Sequence, residues 1–174
     1  MKRTFFAAAL AGVALISFEA RAQTSTVHFG VAAGAAIPVG TLSDIVNIGF
    51  NGTVTVGVNP ALIPLGVRID GAYNQFSVQS GLGGGSVHYT SVTGNLVYKI
   101  PGASFAPYAI GGAGWYNAGA SGGGGSTNNF GFNIGGGISM ALSGFDTFLE
   151  ARFNQVQTAG SPARFIPITF GVMF

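Results

Sequence analysis

The chain ends RFIPITFGVMF, residues 164–174. Ile166, Ile168, Phe170, Val172 and Phe174 alternate with smaller or less apolar residues, and the last residue is aromatic. Strict alternation over this length is the pattern of a β-strand with one apolar face. A strand of this kind at the very end of a chain predicts an apolar face turned to lipid. The rest of the sequence can be tested against a closed barrel in a membrane, with this strand as its final stave.

The bulk numbers agree with that picture. Of 174 residues only 7% are charged, against about 25% in ordinary domains. Glycine occurs 30 times, well above its usual share of about 7%. Apolar character is high, yet nothing after residue 23 offers the ~18 uncharged apolar residues of a membrane helix. Two classes survive: a membrane barrel, whose apolar residues occupy alternate positions, and a Gly-rich soluble β protein. The formal charge of +2 is a property of the N-terminus, where Lys2, Arg3 and Arg21 lie. Residues 23–174 hold Arg68, Lys99, Arg152 and Arg164 against Asp44, Asp70, Asp146 and Glu150. A neutral balance gives no footing for a nucleic-acid partner. The absence of cysteine removes disulfide and thiol chemistry.

Residues 1–22 have a basic start, an apolar run over 5–18 and Ala20-Arg21-Ala22 before Gln23. That order is the layout of a secretory signal peptide, and the apolar run is short for a spanning anchor. We expect cleavage before Gln23, leaving residues 23–174 as one barrel domain.

Eight alternating segments follow: 27–37, 49–58, 65–76, 88–100, 106–117, 130–140, 145–157 and 164–174. Each is close to the ~9–11 residues of a tilted membrane strand. Long connections follow the first, third and fifth segments and a moderate one the seventh; short ones follow the second, fourth and sixth. Outer-membrane barrels have this alternation of outer loops and periplasmic turns. With an even strand count, both ends of the chain come to the periplasmic side. The fifth segment is ambiguous, with Tyr108, Ile110 and Tyr116 on one parity and Ala109, Ala113 and Trp115 on the other.

Charge parity orients the faces. Arg68, Asp70, Lys99, Asp146, Glu150 and Arg152 all fall opposite the large apolar residues. An inward apolar face, as in a lipocalin-like barrel, would leave an outside poor in Lys and Glu. An outward apolar face puts the six charges in the lumen and avoids about 2–4 kcal/mol for each Arg or Lys at the bilayer midplane. Eight strands leave an interior just wide enough to fill with side chains. We therefore expect a neutral lumen network centred on Arg68, Asp70, Glu150 and Arg152, a plug more than a pore, with Phe148 also inside. Tyr73, Tyr98, Tyr108, Tyr116 and Phe174 lie near strand ends, where aromatic girdles sit.

Catalytic and cofactor signals are weak. His28 and His88 fall a membrane apart, which separates them as metal ligands. His88 and Thr90 share a face near the outer rim, but no carboxylate is placed to orient the imidazole. The glycine runs at 83–85 and 122–125 lack the Lys-Ser/Thr and helix of a phosphate loop. No cofactor or metal is expected.

The leader, the eight segments, the loop pattern and the terminal FIPITFGVMF resemble the eight-stranded outer-membrane β-barrel family, which includes the transmembrane part of outer membrane protein A and the opacity-like porins. The resemblance covers the whole of 23–174. It implies an all-β, antiparallel, up-and-down transmembrane barrel in the bacterial outer membrane. It further implies that Ile166, Ile168, Phe170, Val172 and Phe174 form the signal read by the barrel-assembly machinery. We expect no counterpart here of the peptidoglycan-binding domain of longer members. The expected function is non-enzymatic: an envelope-structural or surface-interaction role through outer loops, by a monomer embedded in outer-membrane lipid. The alternatives are a narrow passive porin-like channel and a lipid A-modifying enzyme. No external ligand can be read.

Overall fold

The computed structural model describes residues 27–60, 64–82, 84–100, 105–121 and 125–174. The expected signal peptide, parts of both glycine runs and most of the 101–105 turn lie outside them. Eight strands are present: β1 Val27–Val39, β2 Gly49–Val58, β3 Leu65–Ser77, β4 Ser86–Lys99, β5 Phe105–Ala120, β6 Thr127–Leu142, β7 Phe145–Val156 and β8 Ala163–Met173. They close into a single antiparallel barrel in sequence order. The closing seam is completed beyond β8, where Phe174 and Phe29 exchange backbone hydrogen bonds of 2.7 and 2.9 Å.

Following Cα partners round the wall defines the barrel geometry. From Phe29 they run through Val56, Ile69, Gly94, Ala113, Phe132, Gln155 and Arg164 to Val39, 10 residues further along β1. A stagger of this size on eight strands requires a tilt of about 35–45° and leaves an interior that side chains fill.

Alternation sorts the residues as the strand pleat demands. Val31, Val54, Ile69, Leu96, Ile134 and Phe170 are all exposed on the outward face. Arg68, Asp70, Asn74, Asn95, Asn133 and Glu150 are buried inside. An apolar skin of this extent is unstable in water and matches a hydrocarbon solvent.

Several expectations are corrected. Tyr108 and Tyr116 are not girdle residues: they point inward and are buried, while Trp115 on the opposite parity of β5 is 70% exposed. Exposed rings near the strand ends include Phe50 with Tyr73 and Trp115 with Phe130 at the loop end, and Tyr98, Phe105 and Phe145 with Phe174 at the end where the chain finishes. The 118–129 loop is shorter than expected, because β5 continues to Ala120 and β6 begins at Thr127. Backbone pairing between Ala118 and Thr127 extends this hairpin beyond the apolar segment.

Residues 38–48 do not form an open loop. Gly40–Asp44 make a 3-10 turn whose Leu42 is buried. The chain then bridges Val46 to Val78, supported by Asn47 N to Ser77 O at 2.8 Å and Gln79 N to Ile45 O at 3.0 Å. This joins the first connection to the one after β3 as a lid across the barrel mouth.

Candidate functional site: a lumen closed in layers

The interior is built in layers from residues of opposite walls. Nearest the end shared by Val27 and Phe174, Val97, Tyr108, Ile110 and Phe148 form a small apolar cluster. Above it lies a four-membered ring of alternating charge. Arg68 Nη2 is 2.7 Å from Glu150 Oε2, and Glu150 Oε1 is 2.7 Å from Arg152 Nε. Arg152 Nη1 is 2.7 Å from Asp70 Oδ2, and Asp70 Oδ1 is 3.0 Å from Arg68 Nε. β3 and β7 stand across the barrel from one another, so the ring bridges the lumen.

Neutral donors complete the ring. Tyr108 Oη donates to Glu150 Oε2 at 2.8 Å, and Asn95 Nδ2 donates to Asp70 Oδ2 at 3.0 Å. Asn133 Nδ2 in turn donates to Asn95 Oδ1 at 2.9 Å. The Arg68 guanidinium lies 5.8 Å from the centre of the Phe148 ring. Buried charges need this density of partners to offset desolvation. Glycines on the inward face of β6 make the room: a Cβ at Gly137 would meet the Tyr108 hydroxyl at 2.5 Å, and one at Gly131 would meet the Tyr116 ring at 2.7 Å.

A layer of amides follows. Asn51 Nδ2 donates to Asn74 Oδ1 at 2.7 Å, and Tyr116 Oη to Asn154 Oδ1 at 2.8 Å. Pro167 leaves its mark here. It stands opposite Arg152 on β8, and the β7–β8 pairing is interrupted between Ala151–Ile168 and Asn154–Phe165. Proline has no N–H for the Arg152 carbonyl. Asn154 Nδ2 reaches that carbonyl instead, at 3.3 Å.

At the loop end Phe76, Tyr89 and Phe165 pack together, with ring centroids 5.4–6.2 Å apart. Leu42 and Val46 of the lid join them in one buried cluster. Among the described residues a small cavity lies on each side of the charge ring. The lower, of about 30 Å³, is lined by Arg68, Tyr108 and Phe148; the upper, of about 20 Å³, by Asp70, Asn74 and Arg152. Each has room for about one water.

Of the six expected lumen charges, the structure brings Arg68, Asp70, Glu150 and Arg152 together. Lys99 and Asp146 line the lower cavity instead and make no ion pair among the described residues. Asn95 and Asn133 complete the network without having been singled out from sequence, and Tyr108, expected in the girdle, joins it; polar tips on the inward parity were the available signal. On β8 and at Phe174 just beyond it, Ile168, Phe170 and Phe174 are exposed, and Ile166 and Val172 share their outward parity. His88 also faces outward, stacked on Tyr73 with centroids 6.0 Å apart. His28 lies near the opposite end of the barrel, paired with Gly57.

Comparison with known proteins agrees with this architecture. The family model described as outer membrane protein beta-barrel domain matches residues 8–174. No curated protein matches. Among solved structures, Neisserial surface protein A is similar at 17% identity and a TM-score of 0.68, over 86% of this chain and 96% of that one. Ail, the attachment invasion locus protein of Yersinia pestis, in complex with the heparin analogue sucrose octasulfate, is similar at 20% identity and a TM-score of 0.51, over 86% and 100%. The outer membrane enzyme PagL is similar at 19% identity and a TM-score of 0.50, over 84% and 98%.

Proposed function

The chain belongs to the outer membrane protein β-barrel family, and from that premise we propose a non-enzymatic integral barrel that serves the bacterial outer membrane as a structural and surface-interaction element. Its loop end faces outward, and its termini face the periplasm. The observation that carries this reading is the closed lumen: the ring of Arg68, Asp70, Glu150 and Arg152 below, and the lid with Leu42 and Val46 above. A barrel that transmits nothing through its interior acts through its outer surface. PagL demonstrates that this fold also hosts an enzyme, so the non-enzymatic reading rests on the surroundings of His88. The acidic residues of β3 and β7, namely Asp70, Asp146 and Glu150, lie on the inward parity, and Asp44 lies in the lid. Among the described residues none makes a hydrogen bond or ion pair with that imidazole, as a hydrolytic base requires.

Outer-membrane lipid is the medium of the apolar skin, and the barrel works as a monomer. Ile166, Ile168, Phe170, Val172 and Phe174 serve as the signal to the barrel-assembly machinery, following export on the leader. Sulfated polyanions such as the heparin analogue on Ail are a poor fit for this chain. Its cations are mostly inward, and Arg164, the exposed one near the outer rim, is held by Gln155 at 2.8 Å.

The decisive experiment is single-channel recording of residues 23–174 refolded into a planar bilayer, with folding verified by a heat-dependent gel shift. Silence is expected from the folded barrel. It should persist in the lid variant Leu42→Gly/Val46→Gly, since the ring still closes the lumen. Reproducible conductance steps from the unaltered barrel would replace this reading with the narrow passive channel.

A further inference from the structure

One side of the outer rim differs from the rest of the skin. Phe50, Tyr73 and His88, on β2, β3 and β4, form a continuous row of outward rings. The Phe50–Tyr73 centroids are 6.0 Å apart, and the Tyr73 and His88 rings lie 6.0 Å apart at only 22°. The floor under His88 is cleared by glycine: a Cβ on Gly119 would lie 2.5 Å from Nε2 and 2.7 Å from Cε1. Beside Tyr73, its strand partner Gly52 leaves open space, where a Cβ would meet nothing within 4 Å. The stacked rings are thus laid flat against the wall with a shallow recess next to them.

Polar groups on the same outward parity border the rings. Tyr73 Oη donates to Gln75 Oε1 at 2.8 Å, and Gln75 Nε2 makes no hydrogen bond among the described residues. Thr90 is the strand partner of both Tyr73 and Asn117, and Asn117 Nδ2 donates to Asn128 Oδ1 at 2.9 Å. The charged residues of β2 to β6 are Arg68, Asp70 and Lys99, all on the inward parity. A lipid phosphate would find no Lys or Arg on this side.

We propose that this patch binds the neutral sugar headgroup of a glycolipid in the outer leaflet. This rests on the outward orientation of the loop end given above. An aromatic girdle alone accounts for rings at the membrane boundary. It does not account for rings stacked over a glycine-cleared floor and bordered by amides and a hydroxyl. A pyranose has an apolar face for the rings and a rim of hydroxyls for Gln75, Thr90 and Asn117. The height of the patch, near the ends of β2 and β3, presents it to headgroups.

The test uses the protein purified from outer membranes and placed in phosphatidylcholine nanodiscs. These contain a few mole per cent of either a monoglycosyl diacylglycerol or phosphatidylglycerol. Lipid retained after detergent extraction is read by native mass spectrometry, and the His88 ring by NMR, with His28 as internal control. The glycosyl lipid should be retained about tenfold over phosphatidylglycerol, the scale of one to two aromatic contacts, and should shift His88 alone. Tyr73→Ala and Gly119→Ala, the second displacing the imidazole without removing a ring, should abolish the preference while the heat-dependent gel shift persists. Equal retention of both lipids, preference for phosphatidylglycerol, or a preference that survives both substitutions would overturn the proposal. Failure of the orientation itself is read separately, by protease or label access to the 40–48 connection in intact cells.

Discussion

Tyr108 Oη and Arg68 Nη2 meet on one atom, Glu150 Oε2, at 2.8 and 2.7 Å. The phenol is the one neutral side-chain donor on this carboxylate among the described residues, and it comes from β5, a strand without a charge of its own. Tyr108→Phe keeps the ring in its layer and removes only the hydroxyl. Hydrogen bonds to charged groups contribute about 1.5–3 kcal/mol, so the urea unfolding midpoint should fall by that equivalent with an unchanged slope. A midpoint equal to that of the unaltered barrel would mean that Glu150 is satisfied without β5.

Removing one member of the charge ring should cost more than removing all four. Arg152→Ala takes donors from both Asp70 and Glu150, and breaking a buried pair in this way costs about 3–5 kcal/mol. Replacing Arg68, Asp70, Glu150 and Arg152 together by Met and Leu leaves no orphaned charge. That variant should be neutral or more stable by about 1–4 kcal/mol. Equilibrium unfolding in detergent micelles separates the two, and an unchanged midpoint for Arg152→Ala would exclude the ring as a stabilising element.

Asn154 and Pro167 should be energetically coupled through an atom that belongs to neither. Asn154 Nδ2 serves the Arg152 carbonyl, which Pro167 cannot. Pro167→Val restores a backbone donor opposite Arg152. Asn154→Ala should therefore cost less in the Pro167→Val background than in the unaltered chain, by about 0.5–1.5 kcal/mol. A double-mutant cycle measures the difference; additivity within error would show that the amide is not substituting for the missing ladder bond.

Strand number, order and face were legible in the sequence because parity is local. A residue two positions on returns to the same side, and the charges of β3 and β7 mark the inside without ambiguity. β5 was not legible for the same reason. Its alternation sets Tyr108, Ile110 and Tyr116 against Ala109, Ala113 and Trp115, and both sets are apolar. What decides it is β6, where Gly131 and Gly137 leave room for the two tyrosines. That fact belongs to the register and is invisible in either strand alone. The lid was missed because Gly, Ser and Asp near residues 40–44 read as loop, while Leu42 and Val46 are stray apolar residues until the barrel mouth is there to receive them. Lys99 and Asp146 share the inward parity but stand away from the ring, and parity carries no information about height.

The ring also has a consequence for how the two halves of the chain come to share a membrane. Arg68 and Asp70 are two residues apart on β3, and Glu150 and Arg152 are two apart on β7, each pair in contact within its own strand. Each strand thus brings its own counter-ion to the ring, and each in-strand pair carries zero net charge. The contacts across the lumen, Arg68 with Glu150 and Arg152 with Asp70, then join two dipoles that were already neutral. The ring itself adds no unbalanced ion to either strand during closure; Lys99 and Asp146, outside it, stand at the ends of β4 and β7.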